Sequence, residues 1–212
     1  MKLNYTIVLL ILVIGCSSCS KNIDEPKKTI NVDILLAGSS TMEFWIDYQD
    51  YFVGYSVINT GIGSATTETI LNSFSTTFAN NVPKYSVLYL GENDVLLLTH
   101  ELFTQNIKLL VNKIFENSPK TKIIFISIKP GPGRKELWST FIQYNETLKE
   151  LENYHKDIFY IDFFNPLFTD VNNVDNSFFR SDGVHLSIKG YTLLADKIHE
   201  KIKIIAKNEN DN

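Results

Sequence analysis

Cysteine is nearly absent from this chain: of 212 residues only Cys16 and Cys19 carry a thiol, and both fall in the first twenty. Whatever folds after them does so without a disulfide, and a zinc site built on cysteine is excluded. A basic excess is missing too. Lys and Arg number 20 against 24 Asp and Glu, for a net charge of −4. The cations are scattered, so nothing supports binding to nucleic acid, which needs a basic patch or stripe. Histidine occurs only four times, at 100, 155, 185 and 199. No apolar run suits a membrane span: Tyr5 to Gly15 has eleven residues, against about 20 for a helix that crosses a bilayer. What is present is a composition 44% hydrophobic, enough for one domain with a sizeable core.

The apolar run follows a positive Lys2 and has the length of an export-signal core. It ends in "LVIGC", which resembles the lipobox of bacterial lipoproteins. The resemblance implies that residues 1–15 are a signal peptide and that Cys16, with Cys19 as second choice, takes a lipid. An ordinary secretory signal cleaved near "GCSSCS" is the alternative. Either way the chain is expected to be exported, and the first reading ties it to the membrane of a bacterial cell envelope. Residues 16–31 then form the lipidated anchor and a polar tether.

From residue 32 the pattern alternates. Short apolar runs at 32–38, 55–61, 85–91, 122–128 and 158–164 read as strands. Helical spacing appears between and after them, at 40–52, 66–79, 101–118, 134–154 and 187–206. Segment 101–118 is the clearest, with Leu102, Ile107, Leu110, Val111 and Ile114 on one face. Such alternation predicts a single α/β sandwich around a parallel sheet over 32–206, with the tail 207–212 frayed. In such folds ligands bind beyond the carboxyl ends of the strands, near a topological switch point.

Four segments at those ends carry chemistry. "GSST" at 38–41 places Ser40 at the start of a helix, as an N-cap or as a nucleophile near a helix N-terminus. "NTGIGSAT" at 59–66 is a glycine-bearing turn that fits neither a P-loop nor a dinucleotide fingerprint. "GEND" at 91–94 holds Asn93, a side-chain amide that could meet an oxyanion, and Asp94, which could brace the loop. "DGVH" at 182–185 pairs Asp182 with His185 on the loop side where the other segments gather, whereas His100, His155 and His199 lie in or beside helical stretches and are expected on exposed faces. Together they supply a hydroxyl, a base, an orienting acid and donors for an oxyanion, the parts that acyl transfer needs.

These four blocks, in this order, resemble the SGNH hydrolases, also called the GDSL lipases and esterases, over most of the chain. The resemblance implies a three-layer α/β/α, flavodoxin-like fold with five parallel strands. It implies Ser40 as nucleophile, His185 as base and Asp182 as the acid that orients it. The oxyanion donors would be the backbone N–H of Ser40, a backbone N–H of Gly63 or Ser64, and the Asn93 side chain. Ser39 stands where the family most often has Asp, and Ser64 where it commonly has Gly. No metal or organic cofactor is implied. The expected substrate is a small-molecule or glycan ester, with removal of acetyl groups from carbohydrate foremost. A lysophospholipase or short-chain lipid esterase, or a non-catalytic glycan-binding lipoprotein, remain the alternatives.

Overall fold

The computed structural model describes residues 30–170 and 172–211. The signal segment, Cys16, Cys19 and the tether up to residue 29 lie outside the described residues. Strands β1 (Ile30–Gly38), β2 (Val57–Asn59), β3 (Asn81–Tyr89), β4 (Lys122–Ile126) and β5 (Ile158–Ile161) form one sheet in the order β2-β1-β3-β4-β5. Every neighbouring pair is parallel, so the expected flavodoxin-like architecture is present.

Alternation along each strand sends side chains to two cores. On one face Ile34, Leu36, Val87 and Ile124 pack with Trp45 and with Tyr191, Leu194, Ile198 and Ile202 of the closing helix. On the other, Leu35, Ala37, Leu88 and Phe125 meet Phe103, Ile107, Leu110 and Phe141. Both faces of the sheet are covered, which is why its strands read as nearly continuous apolar runs. Each fully buried Leu or Ile contributes about 1.5–3 kcal/mol relative to exposure, so the domain is held by these two layers.

The helices are α1 (Ser40–Glu43), α2 (Tyr48–Tyr51), α3 (Thr67–Asn72), α4 (Phe74–Thr77), α5 (Asp94–Leu97), α6 (His100–Asn117), α7 (Trp138–Glu150) and α8 (Ile188–Asn210). Two expected helices are broken. The 40–52 stretch turns after Phe44 so that Trp45 can enter the core, stacked on Tyr191 at 5.1 Å, while Ile46 is left 86% exposed. The 66–79 stretch breaks at Ser73, whose hydroxyl donates to the Thr69 carbonyl at 2.7 Å and pulls the backbone out of helical geometry. In α6 the inward position belongs to Phe103, and Leu102 is exposed. Helix α8 runs past residue 206 to Asn210, where Glu209 pairs with Lys122 at 3.1 Å, so residues 207–210 are helical rather than frayed. A small hairpin, β6 (Phe168–Asp170) with β7 (Asn173–Val174), had no signature in the sequence.

From β1 the chain steps first to β2 on one side and then to β3 on the other. The carboxyl ends of β1 and β3 are therefore the switch point where an α/β sheet opens a crevice.

Candidate active site

The turn after β1 is tight because it must pass under β3. Gly38 has φ +144°, and a Cβ there would lie 2.1 Å from the Tyr89 carbonyl oxygen. No side chain can occupy that position. The turn makes Ser39 the N-cap of α1 and Ser40 its first residue. Ser40 therefore does not cap the helix. Its Oγ lies 3.1 Å from Nε2 of His185, and its N–H has no acceptor among the described residues. Ser39 Oγ is buried without a hydrogen-bond partner.

His185 is set from the far end of the fold. Phe179 and Leu186 form an antiparallel bridge, and the Arg180 N–H donates to the His185 carbonyl at 2.7 Å, closing the loop that holds Asp182. Nδ1 of the His185 ring lies 2.8 Å from Asp182 Oδ2. The other carboxylate oxygen accepts the backbone N–H groups of Val184 at 2.8 Å and His185 at 2.9 Å. Burial alone would raise the Asp182 carboxyl, but the His185 ring and those two N–H groups outweigh it and hold the carboxyl down to about 2. Phe44 flanks the imidazole with ring centroids 4.8 Å apart. The remaining histidines stand apart. His155 is exposed, whereas His100 and His199 are half-buried rather than on exposed faces, bonded at 2.8 Å to Thr147 Oγ1 and the Tyr51 carbonyl.

Across from this relay, the loop after β2 is tied to α1. Asn59 donates to the Met42 carbonyl at 2.7 Å and accepts the Gly61 N–H at 2.9 Å. Ile62 to Ala65 then form a turn closed by Ala65 N–H to Ile62 C=O at 3.1 Å. Ser64 sits inside it at φ +57°, the one non-glycine residue with positive φ among the described residues. The N–H groups of Gly63 and Ser64 have no acceptor among the described residues. A Cβ on Gly63 would lie 2.6 Å from the Glu43 carboxylate, so the turn is pressed against α1.

Asn93 joins the two loops. Its amide donates one hydrogen to the Ala65 carbonyl at 3.0 Å and has a second N–H to give. Asp94, fully buried, accepts the Thr67 N–H at 2.8 Å and the Thr67 hydroxyl at 2.6 Å, bracing the start of α3. Burial raises the Asp94 carboxyl above its ordinary value despite the Thr67 bonds.

The residues singled out at the strand ends thus gather at one sheet edge. Ser40, His185 and Asp182 form a hydrogen-bonded relay, and Asn93 holds the turn that carries Gly63 and Ser64 through the Ala65 carbonyl. An imidazole that meets a hydroxyl on one nitrogen and a carboxylate on the other can take the hydroxyl proton and keep the resulting charge paired. Sequence reasoning passed over Lys129, Glu92, Tyr89 and Thr41, which form a buried polar cluster just behind these turns. The available signal was a lysine closing the apolar run "KIIFISIK". Among the described residues no group of three or more His, Cys, Asp or Glu could hold a metal ion. A groove of about 500 Å³ lined by Val32, Ser56, Pro83 and Thr121 lies at the opposite edge of the sheet, away from all of these.

No curated protein matches the chain in sequence. Among solved structures, a GDSL-like lipase from Bacteroides thetaiotaomicron superposes with a TM-score of 0.67 at 24% identity, covering 82% of this chain and 88% of that one. The lipase/acylhydrolase from Enterococcus faecalis gives 0.65 at 24%, covering 81% and 95%. An acetylxylan esterase from Geobacillus stearothermophilus gives 0.66 at 17%, covering 84% and 96%. At these identities the likeness is one of fold. The sequence itself matches the model of the GDSL-like Lipase/Acylhydrolase family across residues 37–193, from the end of β1 into α8. This chain belongs to that family and is an SGNH-type ester hydrolase.

Proposed function

We propose that Ser40 is the nucleophile of this hydrolase, His185 its general base and Asp182 the carboxylate that orients and charge-pairs the imidazole. The observation that carries the reading is the unbroken relay, with Ser40 Oγ 3.1 Å from His185 Nε2 and His185 Nδ1 2.8 Å from Asp182. Ser40 attacks the ester carbonyl while His185 removes its proton. The oxyanion is met by the N–H of Ser40, a backbone N–H of the Gly63–Ser64 turn and the free N–H of Asn93. His185 returns the proton to the leaving alcohol, then activates a water that releases the acid and restores the serine.

The substrate we propose is a short acyl ester, acetyl foremost, on carbohydrate. The relay lies at an open edge, with the Asp182 side chain 47% exposed, where a polymer can be laid across it. The fold likeness to an acetylxylan esterase agrees. Export and a lipid on Cys16 belong to the same proposal. β1 enters the sheet at its amino edge and the nucleophile stands two residues after its last. The strand's nine residues span about 30 Å. An N-terminal anchor would thus join the domain at the sheet edge opposite the catalytic one and leave that edge open to polymers of the cell envelope or beyond.

One observation favours a lipid ester instead. Ile46 and Ile188, 86% and 76% exposed, rim a cleft of about 680 Å³ beside Arg180 and Lys189, a surface that would suit an acyl chain and a phosphate. The test is hydrolysis of p-nitrophenyl acetate and p-nitrophenyl octanoate by the wild type, Ser40→Ala and His185→Ala, with acetylated xylo-oligosaccharide alongside. Acetate and oligosaccharide turnover abolished by both substitutions supports the proposal. Preference for octanoate would turn the reading to lipid, and activity that survives both substitutions would refute the relay.

A further inference from the structure

Lys129 lies just beyond β4 and is 0% exposed, with Glu92 at 2%, Thr41 at 0% and Tyr89 at 0%. A buried ammonium must find acceptors for all three of its hydrogens. It does: Glu92 Oε2 is at 2.6 Å, Thr41 Oγ1 at 3.0 Å and Tyr89 Oη at 3.1 Å. The Tyr89 hydroxyl in turn donates to Glu92 at 2.8 Å and accepts the Lys129 backbone N–H at 3.2 Å. Asn145 of α7 pins the neighbouring peptide by accepting the Ile128 N–H at 2.7 Å and donating to its carbonyl at 3.1 Å. The base of the cluster is therefore rigid, and its tips reach two loops of the catalytic edge.

Those tips sit at telling places in the chain. Thr41 directly follows Ser40, and Glu92 directly precedes Asn93. The cluster also touches the loop of the base: Arg134 donates to the Glu92 carbonyl at 3.4 Å, and its neighbour Gly133 donates to the Gly183 carbonyl at 2.9 Å, between Asp182 and His185. We propose that Lys129, through its buried ion pair with Glu92, is a positioning residue that sets the separation between the nucleophile and the oxyanion donor. The proposal rests on the roles assigned above to Ser40 and Asn93.

Stability alone is a poor account of the cluster. Desolvation cancels most of the attraction in a buried ion pair, and apolar side chains of similar volume commonly serve as well. What apolar packing cannot supply is direction. Bonds of 2.6 and 3.0 Å from one nitrogen fix residue 41 relative to residue 92, and sites of this kind tolerate errors of only about 0.5 Å. A misplacement of about 1 Å costs on the order of a hundredfold in rate.

The test replaces both charges at once, Lys129→Met with Glu92→Leu, and separately removes one acceptor by Thr41→Val. Melting temperature, kcat and KM on p-nitrophenyl acetate are measured for each, with and without Asn93→Ala. The expected result for the double variant is a folded protein whose kcat falls roughly 30- to 100-fold while KM stays within about twofold. Asn93→Ala then costs far less than the roughly 100- to 1000-fold of an intact oxyanion donor, because that donor is already displaced. A purely structural cluster instead leaves the Asn93→Ala factor unchanged in every background. That result, or a kcat within about threefold of wild type, overturns the proposal. Should the double variant not fold, Thr41→Val decides on the same two readouts, with a smaller expected loss of kcat, about 5- to 10-fold. A wild type that is active, and that Ser40→Ala abolishes, keeps the hydrolase reading intact whatever the cluster variants do. An inactive wild type overturns that reading and this proposal with it.

Discussion

Replacing Asn93 with alanine separates two jobs done by one side-chain amide. The first is structural: one N–H donates to the Ala65 carbonyl at 3.0 Å and holds the Ser64 turn. A partly buried neutral hydrogen bond contributes about 1 kcal/mol. In a domain of this size that loss lowers the melting temperature by about 2–4 °C. The second job is chemical. Loss of one oxyanion donor costs about 100- to 1000-fold in kcat, or about 2.7–4 kcal/mol of barrier. The two effects cannot be confused at 25 °C, because a loss of about 1 kcal/mol from a total of about 5–15 leaves nearly every molecule folded. Circular dichroism melting and p-nitrophenyl acetate kinetics on the same preparation measure both. Asn93→Asp, which keeps the shape but has no N–H to give, should follow alanine in kcat. A kcat within about threefold of wild type beside a lowered melting temperature would leave Asn93 only its structural job, and the oxyanion reading would be wrong.

Four further outcomes are expected. Ser40→Ala should change stability by no more than about 0.5 kcal/mol, since Ser40 Oγ faces His185 rather than the helix N–H groups; it should lower kcat by about 10⁴- to 10⁶-fold, and a loss of about 1 kcal/mol would restore the capping role. Ser64→Gly removes a side chain held at φ +57° and should stabilise the fold by about 0.5–1 kcal/mol with kcat unchanged; a tenfold change in kcat would mean that the hydroxyl takes part. The folded Asp94 carboxyl is raised by burial, so its contribution to stability is full below its unfolded value and is lost as pH rises through the folded one. Asp94→Asn should therefore gain on the wild type in thermal melts as pH rises above the ordinary carboxylate value of 3.8, and a constant difference would refute the assignment. Asp182 has the opposite sign: its carboxyl is held down to about 2 against an ordinary 3.8, so its contribution is present above the higher value and lost as pH falls toward the lower. Asp182→Asn should flatten that stretch of the stability curve while lowering kcat by about 10²- to 10⁴-fold, and an unchanged acid limb would remove the His185 bond from the account.

Local pattern carried much of the site. Ser40 and Asn93 were nameable because each falls just beyond an apolar run, where a parallel sheet exposes its carboxyl edge, and Asp182 and His185 because they pair in a polar turn just ahead of the closing helix. The helix breaks at Phe44 and Ser73 were not, since Trp45 leaves its helix only to stack on Tyr191, a residue far along the chain. Phe103 rather than Leu102 faces inward for a similar reason: the core it meets comes from other elements.

Hydrophobic spacing by itself determined the α/β sandwich around a parallel sheet, and the order of its polar segments determined which residues meet at the sheet edge. That followed because burial and strand–helix alternation are properties of short stretches. Tertiary structure alone decided that Ser39 and not Ser40 stands at the N-cap position of α1, that Ser64 takes a left-handed backbone, and that Lys129 ends among Glu92, Thr41 and Tyr89. Each depends on the close approach of loops that follow different strands. A lysine at the end of an apolar run looks solvated until the fold encloses it and supplies its three acceptors.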